Sequence, residues 1–209
     1  MNSPRRLLPP GYDVSVPTMK RGIAAIVCMG LYTLAVGWST MQLLDNVDRD
    51  GDDIAWKSLA MSVLYMAVTG LAAWLTLCLW MSRAKEAVDQ RGFTGPTTWK
   101  IWLAWFVPLY SIVAPCLVMS DLMVRKRTVW TRLAMIGWWG GWVTCVYLGQ
   151  FSFLFTADDA TERVAQITQI AMMVSYVGVV CVVLLISRDL DRPYKIRNRA
   201  GQKWVDASA

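Results

Sequence analysis

Four runs of uncharged residues, Gly22–Leu44, Ser58–Met81, Leu133–Phe155 and Val164–Ile186, each cover 23 or 24 positions of this 209-residue chain. A helix needs about 20 apolar residues to cross a hydrocarbon core of about 30 Å. In lipid every backbone N–H and C=O must be satisfied inside the segment, so each run predicts a transmembrane helix. Only 17% of the residues are charged, and they fall between the runs instead of decorating a surface, which excludes an ordinary soluble domain. No remaining stretch is long enough for a second folded domain. The first run is too long for the apolar core of a signal peptide, and no clear small-residue cleavage site follows it.

A fifth apolar stretch is different. Between Lys100 and Asp121 lie 20 uncharged residues, interrupted by Pro108 and Pro115 and followed by Arg125, Lys126 and Arg127. Each proline lacks an N–H and clashes with the preceding turn, so this segment predicts a broken helix whose freed carbonyls at 104 and 111 need partners. The distribution of basic residues decides how it crosses. If residues 99–121 form a re-entrant or kinked hairpin between four spans, 18 of the 21 Lys/Arg lie on the cytoplasmic side, leaving Arg49, Lys57 and Arg163 outside. Five full spans, the alternative, would put 9 inside and 12 outside. The positive-inside rule favours the hairpin. The expected fold is therefore an all-α membrane protein with four transmembrane helices and a proline-broken segment. The spans lie at about 22–44, 58–81, 133–155 and 164–186, a polar cytoplasmic tail covers 1–20, the membrane domain 21–187, and a basic cytoplasmic tail 188–209.

The central residues resemble a known family. Arg83-Ala84-Lys85, the block Trp105-Phe106-Val107-Pro108, then Pro115 and the exit Met119-Ser120-Asp121-Leu122 are similar to the domain of unknown function 4328, a family of uncharacterised bacterial polytopic membrane proteins. The sequence departs from the pattern at Ser111, where an amide side chain is expected, and at Cys116, where an aromatic is expected. The resemblance implies a bacterial plasma (inner) membrane location and no established activity.

The same stretch holds the candidate binding residues. Trp102 and Trp105 are three apart and share a helix face; with Phe106, Pro108, Pro115 and Asp121 they outline a groove for a lipid or a partner. Asp121 is expected to pair with Lys100 or Arg125 at the hairpin base. Gly137 and Gly141 form a GxxxG pair, small residues that let helices approach closely where lipid supplies no hydrophobic drive. Gly30, Gly37 and Gly70 are candidate facing grooves, and packing within the bundle competes with homodimerisation. Trp56, Trp80, Trp99 and Trp130 sit at run ends and predict interfacial anchors. Asn46, Asp48, Asp50 and Asp52 open like a calcium loop, but Lys57 stands at position 12 where the bidentate Glu belongs, which leaves at most a weak site.

The chain has no histidine, the usual general base and the commonest haem or zinc ligand. Its cysteines, Cys28, Cys78, Cys116, Cys145 and Cys181, are isolated within apolar runs, where they pack as small apolar residues. No phosphate-binding loop, nucleophile elbow or pair of intramembrane carboxylates occurs. No cofactor is expected. The net charge of +6 lies beside apolar segments, which points to anionic headgroups and not to nucleic acid. The expected partners are membrane lipids and a protein partner or second copy. The sequence thus reads as a non-catalytic membrane protein that senses or binds a partner or lipid, with a small transporter or channel built around the hairpin as the alternative.

Overall fold

The computed structural model describes residues 17–47, 53–91, 93, 95–103, 105, 113–123, 129–151 and 158–192. Every element in them is a helix: α1 (Met19–Val47), α2 (Asp53–Gln90), α3 (Thr98–Leu103), α4 (Ala114–Leu122), α5 (Val129–Phe151) and α6 (Asp158–Asp191). Three of them hold segments long and apolar enough to cross a membrane: Met19–Gln42, Ala60–Gln90 and Arg163–Asp191. The run at 133–155 corresponds to α5, whose tryptophans and glycines lower its hydropathy, and it is not among the three.

α2 overshoots the bilayer. Its 38 residues measure about 57 Å at 1.5 Å per residue, well beyond the hydrocarbon core. The last turns carry ion pairs three and four residues apart, Arg83 with Glu86 and Lys85 with Asp89, as expected of a helix surface in water. The chain then folds back on the helix end: Arg91 and Phe93 donate to the Val88 carbonyl at 3.1 and 3.3 Å, and Gly95 N–H donates to Asp89 Oδ1 at 3.1 Å.

The register of the long helices follows from a few contacts. The Ser39 hydroxyl faces the Ser62 carbonyl at 3.5 Å, the Tyr32 ring lies over Gly70, and Gly22 lies under Trp80. These pairs run in opposite directions, so α1 and α2 are antiparallel. The Ser175 hydroxyl donates to the Trp138 carbonyl at 2.8 Å, and Gly141 lies against Ala171, which makes α5 and α6 antiparallel as well. α6 also packs on α1 and touches α2. It is the central helix: half of its apolar window is buried, against 28% for α1 and 22% for α2.

The outward faces of α1 and α2 remain apolar. Val27, Leu31, Leu34, Trp38, Leu64, Val68 and Leu71 are all exposed. A patch of that size belongs in lipid and not in water.

One end of the bundle gathers the start of α1 and the ends of α2 and α6. Thr18 is bonded to Asp191, Trp80 to Ser187, and Arg91 to the last carbonyls of α6. Because α5 is antiparallel to α6, Val129 begins at this same end. α2 therefore leaves, and α5 starts, on one side of the bundle. Between them α3 and α4 lie against each other and both against α2.

Candidate functional site

The segment between α2 and α5 turns inward along α2. Cys78 Sγ lies 3.6 Å from the Ile101 carbonyl, and Trp74 meets Trp102 edge-on at 5.7 Å between ring centroids. Trp74 is about 9 Å farther from the gathered end than Trp80, counting 1.5 Å of rise per residue. Ile101 is fully buried, whereas Trp99, at the start of α3, is exposed. Pro115 does not interrupt a helix. It occupies the first turn of α4, where its missing N–H costs no hydrogen bond, and Leu117 N–H donates to the Val113 carbonyl at 3.1 Å.

Trp105 joins this segment to α5. Its ring lies 6.5 Å from Trp138 and 6.1 Å from Trp142 between centroids, and Trp139 stacks on Trp142 at 4.9 Å. Trp102 and Trp105 thus contact different helices, α2 and α5, and each is half-buried against the core. Such ring pairs add about 0.5–1.5 kcal/mol each beyond their buried area. The Trp105 indole N–H is fully enclosed and meets no acceptor among the described residues. A buried indole N–H normally finds a partner. Ser82 Oγ is likewise enclosed and meets no partner among the described residues.

Other expected residues fall as follows. Phe106 and Pro108 lie outside the described residues, as do Asp48, Asp50, Asp52 and the Asn46 side chain. Among the described residues no group of three metal-binding side chains occurs. Asp121 is exposed on α4 and makes no ion pair with Lys100, whose ammonium lies 5.8 Å over the Trp99 ring instead. Trp99 and Trp130 are exposed, but Trp80 is not the anchor its place in the sequence suggests. It is completely buried, and its indole N–H donates to Ser187 Oγ at 2.9 Å.

The glycines sort by what faces them. A Cβ on Gly141 would collide with the Ala171 carbonyl and come within 2.8 Å of Ser175 N. One on Gly137 would meet Val174 Cγ1 at 3.7 Å, an ordinary contact. Gly30 and Gly70 face the rings of Tyr176 and Tyr32, not the glycines of α5, and Gly37 faces open space. The tightest approach is at Gly178, against the backbone of Trp138, a position the sequence reading did not single out.

That reading also missed the polar cluster at the gathered end. Asp191 Oδ1 accepts the Thr18 N–H and hydroxyl, both at 2.9 Å, and Oδ2 accepts the Met19 N–H at 3.1 Å. The carboxylate thereby satisfies the first N–H groups of α1, at the positive end of its dipole. The Arg91 guanidinium donates to the carbonyls of Asp189, Leu190 and Arg192, at the negative end of α6. Each helix end is neutralised by a side chain from another helix.

Charge is divided between the two ends. Lys20, Arg21, Arg83, Lys85, Arg91, Lys100, Arg132, Arg188 and Arg192 lie towards the gathered end, against Lys57 and Arg163 towards the other, among the described residues.

A family model described as a domain of unknown function (DUF4328) matches residues 50–188. No curated protein and no solved structure gives a significant match.

Proposed function

The chain belongs to the DUF4328 family, whose function is unknown, and on that premise we propose that it is a non-catalytic, lipid-binding integral protein of the bacterial plasma (inner) membrane. In this reading residues 99–121 form a re-entrant hairpin entering from the cytoplasmic face, where both termini lie. Two features support the hairpin: α2 ends and α5 begins at the same end of the bundle, and the basic residues concentrate there.

The observation that carries the binding role is the enclosed Trp105 indole N–H. It sits in a cluster of tryptophans, next to the broken segment, without an acceptor among the described residues. In this reading the segment beside the enclosed N–H moves aside to admit an ester or phosphate oxygen of a lipid as the acceptor, and the half-buried rings of Trp102 and Trp142 supply the apolar contact. The test is mass spectrometry of the intact protein released from native membranes. Trp105→Phe keeps the ring and removes the N–H, so the co-purifying lipid should fall severalfold while thermal stability holds. Unchanged lipid retention in both Trp105→Phe and a Trp102→Ala/Trp105→Ala variant would refute the proposal.

A further inference from the structure

We infer, resting on the lipid-binding reading of Trp105, that this site takes an apolar lipid without a charged headgroup, which lies in the middle of the bilayer and offers an uncharged carbonyl oxygen to the indole N–H.

Depth decides the class. The uncharged run 164–186 of α6 has Ser175 at its midpoint, and the Ser175 hydroxyl donates to the Trp138 carbonyl at 2.8 Å. Trp138 therefore stands at mid-span, and Trp142 stands one turn farther from the gathered end. The Trp105 ring lies 6.5 and 6.1 Å from these two rings between centroids. From Ser187 at the gathered end to Ser175 the rise along α6 is about 18 Å, more than half of a hydrocarbon core of about 30 Å. Tryptophans that anchor a protein sit at headgroup level. Trp99 and Trp130, exposed at the starts of their helices, suit that role, and Trp105 lies too deep for it.

A phosphate drawn to that depth would leave water without a counter-charge. Among the described residues the cation nearest to Trp105 in sequence is Lys100, whose ammonium lies over the Trp99 ring. Arg132, at the start of α5, is about 9 Å of rise short of Trp138. Burying an unpaired charge costs far more than one hydrogen bond returns. The ester carbonyls of a phospholipid are tied to its headgroup and stay near the edge of the core. A lipid with no charged headgroup is free to lie at the midplane and bring an uncharged oxygen to the N–H. The rings supply the remaining contact: Trp142 stacks on Trp139 with planes 16° apart and meets Trp105 edge-on. A prenylated quinone and a neutral acyl ester share the required chemistry.

The experiment uses the full-length protein in nanodiscs of phosphatidylcholine and phosphatidylglycerol with a minor fraction of decylubiquinone, trioleoylglycerol or squalene. Lipids retained on release are counted by native mass spectrometry. The parent should retain decylubiquinone, trioleoylglycerol or both over squalene, which is as apolar but has no carbonyl, by about fivefold, the scale of one hydrogen bond. The one retained identifies the source of the carbonyl. Trp105→Phe should lower that retention by about the same factor, and Trp130→Phe should leave it unchanged. Squalene retained by the parent as well as both carbonyl lipids would overturn the inference without recourse to any variant. Equal retention of the carbonyl lipids by the parent and Trp105→Phe would overturn it too. Loss of a phospholipid in Trp105→Phe, with no neutral lipid retained by the parent, would leave the lipid-binding role standing and overturn only the midplane lipid. No lipid of any kind retained by the parent would overturn both.

Discussion

Asp191 and Thr18, 173 positions apart, are joined through one carboxylate oxygen that accepts both the backbone N–H and the hydroxyl of the threonine at 2.9 Å. The carboxylate acts as an N-cap supplied from another helix, and replacing a cap typically costs about 1 kcal/mol. Asp191→Ala should lower stability in detergent by about that amount. Thr18→Ser keeps both donors and should change little, whereas Thr18→Val removes the hydroxyl and leaves its buried surroundings unpaired. A melting temperature unchanged by Asp191→Ala would show that the contact contributes nothing.

Trp80 and Arg91 should be more sensitive. Trp80→Ala opens a cavity at a completely buried site, a change that typically costs about 3–5 kcal/mol. Arg91→Lys keeps the charge but loses the planar fork that reaches the carbonyls of Asp189, Leu190 and Arg192. We expect Arg91→Lys to destabilise by more than Asp191→Ala, because hydrogen bonds from a charged group contribute about 1.5–3 kcal/mol. Thermal melts of the three variants in one detergent give the ranking directly.

The glycines at the contact between α5 and α6, with Gly37 of α1 for comparison, make a graded prediction. Gly178→Ala and Gly141→Ala each put a methyl group against backbone atoms of the facing helix, which a side-chain rotation cannot relieve. Overpacking of this kind costs about 1–3 kcal/mol or more. Gly137→Ala should be nearly neutral, although Gly137→Leu should still crowd Val174. Gly37→Ala should be neutral or slightly stabilising, since nothing faces it and alanine favours a helix. Equal melting temperatures for Gly141→Ala and Gly37→Ala would defeat the packing argument.

These contrasts show what the sequence could reveal. Long uncharged runs reveal helices because lipid forces backbone bonds to be local, and the Trp105–Pro108 block and Pro115 carry the family resemblance. Gly141 was legible from its spacing. Gly178 was not, because its role depends on which turn of α5 lies opposite, and no local pattern encodes that register. Trp80 looked like an interfacial anchor from its place at the end of a run; only the partner hydroxyl on α6 reveals a buried donor. Thr18, Arg91, Ser187 and Asp191 are ordinary polar residues near helix ends. They become a cluster only when ends distant in sequence meet. Asp121 makes no ion pair with Lys100, whose ammonium lies over the Trp99 ring, and its other expected partner, Arg125, lies outside the described residues.

Accessibility should separate the hairpin from a fifth span. With the five native cysteines replaced, single cysteines at Lys57 and Arg163 should react with an impermeant thiol reagent applied to intact cells. Cysteines at Gln90 and Val129, both at the gathered end, should react only after lysis. All four positions are exposed at helix ends. Labelling of Val129 from outside while Gln90 stays protected would mean that residues 92–128 cross the membrane.

The last prediction concerns transport. A conduction path needs polar groups or water along its length, because bare hydrocarbon is a barrier to ions. Several hydroxyls in the long helices are instead turned onto backbone carbonyls. Thr33 donates to Met29, Thr40 to Val36, Thr69 to Tyr65 and Thr76 to Ala72, each within its own helix. Ser175 donates across to Trp138, and Ser39 faces the Ser62 carbonyl. None of these groups is left pointing into a shared interior, and the tryptophans beside the broken segment fill space that a pore would need. Protein reconstituted in liposomes should therefore show no ion flux above that of empty vesicles. Enlarging the cluster's interior with Trp105→Ala should not open a path, because the hydroxyls remain committed to their carbonyls. Robust flux through the parent protein, diminished by Pro115→Ala, would instead make the broken segment part of a translocation route and replace the lipid-binding reading.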